Sequence, residues 1–394
     1  MTEALVIAVP ALPVACGLLI QLARSPAVAD RLNVAGAVVT AGAALALAVT
    51  AVAGAQTPAH GSWYLVDGAT GAFLAVVAAI GLLSALVSPT YLAGAGRSFF
   101  RAARARAWYY LGFHLFWAAL LALPLVDNLG VAWLLVEATT GASALLVAYS
   151  GRHTALEAGW KYLVLTTFGL TIAMVGILVL YVGLAPDGGT LATLDWQQIG
   201  RGAGALPDEA ALVAFLLIVG GLATKIGWAP VHNWLPDAHS EAPPPVSALL
   251  SAALLPTIIL VAWRVLQTLG PALREGVASA VFLAFGLISL AIAVPFLWRP
   301  LAWKRLLAYS SLEHMGVLAL GIGFATPLAT AGVVLHLAGH ALAKALGFYV
   351  ATPLLRHQPE AADQPPRGLA GASPATAAAV GVSLGSLSGL PPAP

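Results

Sequence analysis

Glu137, Lys225, His314, His336, His340 and Lys344 are ionisable side chains set inside long apolar runs, VAWLLVEATTGAS, GGLATKIGWAP, AYSSLEHMG and LHLAGHALAKALGF. A charge at the centre of a bilayer costs at least about 2.5–3.5 kcal/mol on the insertion scale, so such residues default to functional or paired roles. Glu313, in the same run as His314, and His114, in an earlier one, belong to the same class of positions.

Spacing sharpens this. Positions 336, 340 and 344 advance by four residues each and so share one helix face. Two imidazoles and an amine stacked over about 12 Å, at about 1.5 Å per residue, suit a proton wire. The competing reading is a polar seam that hydrogen-bonds neighbouring helices; three titratable groups on one face favour the wire. Lys225 and Glu137 form a second set. A buried amine is disfavoured in its charged form and a nearby carboxylate restores it, so a moving Glu137 would switch the proton affinity of Lys225. The alternative is a permanent ion pair that only fixes helix packing.

After Lys225 the helical pattern fails at APVHNWLPDAHSEAPPPVS. Pro230, Pro236 and the run Pro243, Pro244, Pro245 lack amide hydrogens and restrict the residues before them. Non-helical backbone at membrane depth persists only where protein or water surrounds it, as in the broken helices of transporters. His232, Asp237, His239 and Glu241 lie in this tract, but their irregular spacing argues against a metal site and for capping and wetting of a broken helix.

The elements that must position these groups follow from composition. Of 394 residues, 60% are hydrophobic and only 9% charged, with a mean hydropathy of +0.90, which excludes an ordinary soluble domain. The formal charge of +2 gives no excess for binding nucleic acid. The single cysteine, Cys16, excludes an intrachain disulfide, a CxxC redox pair and a cysteine-ligated cluster. Runs long enough to cross about 30 Å of hydrocarbon recur at 4–22, 32–54, 69–93, 107–126, 128–149, 160–183, 209–228, 245–266, 276–298, 306–325, 328–354 and 372–390. The first continues from a Met-Thr-Glu start without the basic n-region of a secretory signal and reads as a membrane helix. The expected fold is all-α, a polytopic bundle of about twelve spans with a broken seventh helix.

Charge placement supports this segmentation. Loops after odd-numbered spans hold thirteen of the eighteen cations: Arg24, Arg31, Arg97, Arg101, Arg104, Arg106, Arg152, Lys161, Arg299, Lys304, Arg305, Arg356 and Arg367. Loops after even-numbered spans hold Arg201 and Arg274 among acids such as Asp67, Asp127, Asp187, Asp195, Asp208 and Glu209. Cytoplasmic loops carry the Lys and Arg, so the N-terminus is expected outside. Arg264, near the end of span eight, is expected to snorkel to the interface.

The run ATKIGWAPVHNWLPDAHSEAPPPVSALLSAALL strongly resembles the hallmark segment of the proton-conducting antiporter-like membrane subunits shared by respiratory complex I, membrane-bound hydrogenases and multisubunit cation/proton antiporters. LEAGWKYLVLTTFGLTIAMVGILVLY (156–181), AYSSLEHMGVLALGIG (308–323) and HLAGHALAKALGFY (336–349) look more specifically like component F of hydrogenase 4. The resemblance implies that Glu137 and Lys225 match the family's pair that gates proton uptake. It places His314, His336, His340 and Lys344 on the polar axis that carries protons laterally. It also implies inverted five-helix repeats and a division into a three-helix segment, 1–105, and an antiporter-like domain, 106–394.

Two departures stand out. Span eight reads LLPTII, with Pro256, where the family often has a lysine or another polar group, so the relay needs water, freed backbone carbonyls or another route. The chain closes on SLSGLPPAP, where the twelfth helix should break, which makes the domain C-terminally incomplete or leaves its exit path to another subunit. The leading expectation is a proton-translocating subunit, without cofactor or metal of its own, of a complex I-like or hydrogenase-4-like oxidoreductase in a bacterial-type plasma membrane. Its partners would be the other membrane and hydrophilic subunits, the lipid bilayer and protons. The alternatives are a cation/proton antiporter subunit without redox coupling and a non-conducting scaffold.

Overall fold

The computed structural model describes residues 2–54, 58–94, 104–184 and 193–390. Arg97, Arg101, Asp187 and the last four residues of the SLSGLPPAP segment lie outside the described residues.

Apolar composition and helix-forming Ala and Leu give eleven described helices long and apolar enough to cross a membrane. In chain order they are α1 (Thr2–Ile20), α2 (Pro26–Ala53), α3 (Gly68–Gly94), α4 (Ala105–Ala122), α5 (Leu129–Val147), α6 (His153–Leu184) and α7 (Asp208–Ile226). After these come α8 (Pro244–Ala272), α9 (Val277–Leu297), α10 (Trp303–Phe324) and α11 (Pro327–His357). A shorter apolar helix, α12 (Pro374–Leu387), stands where the twelfth span was expected. Its 14 residues rise about 21 Å at about 1.5 Å each, less than the roughly 30 Å of hydrocarbon.

Boundaries follow local chemistry. Ser25, Asn128 and Thr326 each accept a backbone N–H of the first turn of α2, α5 and α11, satisfying a donor that the helix leaves unpaired. The helix α6 starts seven residues before the apolar run, because Glu157 and Lys161 pair at 2.6 Å one turn apart and carry it into water. A small antiparallel ribbon, Ala59–His60 against Leu65–Val66, joins α2 to α3 and was not expected from the sequence.

The helix α8 is the centre of the bundle: its most apolar window is 94% buried, against 28% for α9. It packs on α3, α7, α10 and α11. The pair α6 and α7 approaches closely at Gly221, where a Cβ would meet the Gly169 carbonyl oxygen and the Ala173 nitrogen at 2.5 Å. The pairs α9 with α10 and α11 with α12 close the other side, and α1 packs on α2 and α4.

Arg264 corrects an expectation. It does not snorkel outward but is buried, with Nη2 3.5 Å from Asp67 and 2.9 Å from the Thr70 hydroxyl, and Nη1 3.3 Å from the Val126 carbonyl. The segments leading into α3 and α5 fold over this end of α8, so the guanidinium has protein partners at hand and needs no water.

Candidate functional site

Helix α7 stops at Gly227, whose φ of 78° lies in the left-handed region that glycine adopts without strain. Residues 228–234 are irregular, with a cis Ala229–Pro230 peptide, and Leu235–Glu241 form a short helix before Pro243 ends it. Pro244 and Pro245 then occupy the first turn of α8, where a missing N–H leaves no carbonyl unpaired. The exposed polar groups at the break are taken up by protein. The Trp234 indole donates to the freed Thr224 carbonyl at 2.7 Å, the Ala229 N–H to Ser289 Oγ of α9 at 3.0 Å, and the Trp228 indole to the Met315 carbonyl of α10 at 2.8 Å. The break thereby docks the first half of the bundle on the second.

Lys225 sits in the last turn before this break and is fully buried. Its ammonium donates to Thr140 Oγ1 of α5 at 2.7 Å and to the Tyr162 hydroxyl of α6 at 2.5 Å, and lies 4.4 Å from the centre of the Tyr162 ring. The Tyr162 hydroxyl also meets Ser143 Oγ at 2.8 Å. Glu137 lies one turn from Thr140 on α5; its Oε1 accepts from Thr167 at 2.7 Å, and its buried Oε2 has no partner. Lys225 and Glu137 form no ion pair among the described residues. The ammonium is therefore held by two hydroxyls, with the carboxylate nearby and one oxygen open to a proton.

The second cluster lies between α10, α11 and the middle of α8. His314 Nδ1 and His336 Nε2 are 2.9 Å apart, and the His314 ring centre is 5.0 Å from those of both His336 and His340. The two histidines of α11 are 6.4 Å apart, so His314 of the neighbouring helix bridges them. The expected single-face ladder is thus a triad across two helices. Lys344, fully buried, donates to the Leu307 carbonyl at 2.7 Å, which also accepts from Ser311 Oγ at 2.9 Å. Ser311 Oγ meets Ser251 Oγ of α8 at 2.7 Å, and His340 Nε2 is 3.3 Å from the Ser251 carbonyl. Lys344, Ser311, Ser251 and His340 are in this way one connected polar set.

Pro256 explains why the Ser251 carbonyl is available. Residues Leu250–Leu254 form a π-helical turn in which the Leu255 N–H bonds the Leu250 carbonyl. The Ser251 carbonyl then loses its usual α partner, Leu255, and its π partner would be residue 256, a proline without N–H. His340 takes the orphaned oxygen. The span without a polar side chain at the expected position supplies a serine hydroxyl and a freed carbonyl instead.

The remaining sequence candidates separate. His114 is buried against α1 and α2, with Nε2 3.1 Å from Asn33 and 3.5 Å from the Cys16 sulfur. Glu313 lines a cavity of about 390 Å³ together with Ser310 and Ser388. Asp237 and Glu241 point to cations: Arg152 is 2.9 Å from Glu241, and Lys161 and Arg305 are each 3.5 Å from Asp237. Among the described residues no three of His, Cys, Asp and Glu converge in a metal-binding arrangement. Thr140, Ser143, Tyr162, Ser251 and Ser311 were not singled out from sequence. Serine, threonine and tyrosine are ordinary inside apolar helices, and only the tertiary fold shows which face a lysine.

A bundle of apolar helices, one broken beside a buried lysine and holding a second buried lysine in a polar set of its own, defines an ion-translocating type of membrane protein. The chain belongs to the NADH:quinone oxidoreductase/Mrp antiporter transmembrane family, which matches residues 126–393. It is 32% identical over 296 residues to the hydrogenase-4 component F homolog of Methylacidiphilum infernorum, covering 73% of this chain and 61% of that one. It is 31% identical over 383 residues to NADH-quinone oxidoreductase subunit N 2 of Acidobacterium capsulatum, covering 94% of this chain and 75% of that one. In fold it is similar to a chain of the archaeal membrane-bound sulfane sulfur reductase, a respiratory membrane complex (TM-score 0.85, 22% identity, 98% of this chain and 78% of that one). It is also similar to a chain of the Mrp complex from Dietzia sp. (TM-score 0.83, 23% identity, 99% and 72%). The chain spans about three fifths of the length of the component F homolog.

Proposed function

We propose that this chain is a proton-translocating membrane subunit of a complex I-like or hydrogenase-4-like oxidoreductase, in which electron transfer in other subunits drives proton movement through the bundle. The observation that carries the reading is Lys225: a fully buried ammonium beside a helix break, held by hydroxyls and in no ion pair among the described residues. A lysine in a permanent ion pair serves packing, whereas one held by neutral oxygens can release its proton without stranding an opposite charge. Glu137, one turn from Thr140 on α5 and with one buried oxygen unpartnered, adjusts that release. The proton then passes to the set formed by Ser251, Ser311, His340 and Lys344 and to the histidine triad. The chain lies in a bacterial-type plasma membrane with its basic loops inside and its N-terminus outside, surrounded by the other membrane and hydrophilic subunits of its complex. The names of its relatives, a hydrogenase-4 component and NADH-quinone oxidoreductase subunits, support redox coupling over an uncoupled antiporter. Lys225→Ala tests the reading: proton flux through the assembled complex is lost while the subunit still assembles, and unaltered flux overturns it.

A further inference from the structure

The two lysine clusters are joined by no continuous run of hydrogen bonds among the described residues, yet one buried titratable group lies between them. His239 is on the short helix Leu235–Glu241 and is fully buried. On one side its ring is 6.2 Å from Trp234, which packs at 4.6 Å on Tyr162, the residue that holds Lys225. On the other side it is 5.7 Å from Phe348 of α11, one turn beyond Lys344. Lys344 and Lys304 act electrostatically on it, and their positive charge opposes a second proton on the ring, so the ring takes one up when such an amine is neutral.

Its bonding fixes its protonation pattern. His239 Nδ1 lies 3.0 Å from the Leu235 carbonyl, which can only accept, so Nδ1 carries the hydrogen. Nε2 is then the bare acceptor, and it is buried with no partner. A structural histidine at full burial normally uses both nitrogens, because an unpaired polar atom costs about 1–3 kcal/mol.

The same short helix reaches the basic end of the bundle. The Lys304 ammonium donates to the carbonyls of Ser240 and Ala242, either side of Glu241, which pairs with Arg152. These groups line a cavity of about 320 Å³ at that end. The short helix thus turns Asp237 and Glu241 toward the cationic rim and His239 toward the interior.

We propose that His239 is a further proton-carrying residue, placed between the Lys225 and Lys344 clusters and loaded from the basic-end cavity past Lys304. In the loading step a proton leaves the Lys304 ammonium, is carried by water and binds His239 Nε2, leaving a neutral amine and an imidazolium. The imidazolium gives that proton to the Lys344 and His340 side, and Lys304 regains one from water in the cavity. This rests on the proposed proton-translocating function of the chain.

The test is His239→Gln in the intact complex reconstituted in liposomes, with proton flux read by an entrapped pH dye, normalised to assembled complex, in H2O and in D2O. Glutamine keeps an amide donor for the Leu235 carbonyl but cannot carry a proton. The expected result is at least a tenfold loss of flux with a larger solvent isotope effect, because proton transfer becomes limiting. Native flux overturns the assignment, and so does reduced flux with the native isotope effect, which marks a packing role. Lys304→Met provides the second arm: flux falls and rises again on acidification if Lys304 loads His239, and a native pH profile overturns that loading. Lys225→Ala run in parallel separates the two claims, since active Lys225→Ala refutes the proposed function itself. Inactive Lys225→Ala beside native His239→Gln refutes only the role of His239.

Discussion

Tyr162→Phe removes one oxygen from the candidate site and little else. The ring stays in place, packed at 4.6 Å on Trp234 and 4.4 Å from the Lys225 nitrogen, so its packing and cation–π contact persist. What is lost is one of the two hydrogen bonds that hold the Lys225 ammonium, together with the hydroxyl's contact to Ser143 Oγ, which is the same whether the lysine is charged or neutral. A hydrogen bond to a charged group contributes about 1.5–3 kcal/mol and one between neutral groups about 0.5–1.5. The difference, about 1–1.5 kcal/mol, is what the hydroxyl adds to the protonated over the neutral lysine, and it corresponds to about a 5- to 13-fold change in proton occupancy at tenfold per 1.36 kcal/mol. The sign follows directly. The substitution weakens the loaded form, so loading requires a higher proton concentration and the alkaline limb of the flux profile, where loading is lost, moves by about one pH unit toward lower pH. The assay is initial proton flux against pH in liposomes holding the assembled complex. Flux at the acidic plateau should match the native protein. A profile that does not move, or that moves toward higher pH, refutes the role assigned to the hydroxyl cage.

Three further outcomes are expected. Pro256→Ala restores an N–H whose π-helical partner is the Ser251 carbonyl now held by His340; competition for that oxygen, at about 0.5–1.5 kcal/mol, should lower flux by about 2- to 13-fold while thermal stability rises. The double change His336→Ala and His340→Ala removes two of the three rings of the triad, and proton flux unchanged in that variant would return them to packing. Arg264→Leu strands Asp67 and the Val126 carbonyl at one end of α8 and should destabilise the bundle by about 3 kcal/mol, read as a lower melting temperature in detergent, with flux per assembled complex preserved.

Legibility in the sequence followed physical contrast. The spans were visible because lipid demands uninterrupted apolar runs, and eleven of the expected twelve are long helices in the structure. Lys225 stood out because an ammonium inside such a run is expensive, and the break after it because prolines cannot continue a helix. The partners of Lys225 did not stand out: Thr140 and Tyr162 lie on α5 and α6, 85 and 63 residues away in sequence, and nothing in either segment marks the face that meets α7. Arg264 read as a snorkelling residue for the same reason, since its acid lies nearly two hundred residues upstream in the turn before α3. His239 was hidden by the proline tract itself, where no helical period shows which side chain turns inward. Pro256 looked like a gap in the relay from sequence; in the fold it frees the carbonyl that His340 uses.

The central claim is that the proton carried by this subunit rests on Lys225. The most direct measurement is proton translocation per electron in the purified parent complex bearing Lys225→Ala, reconstituted in liposomes, with electron-transfer rate and subunit content measured on the same sample. The account predicts native subunit content with proton translocation lost. Native proton yield per electron in the Lys225→Ala complex would contradict it.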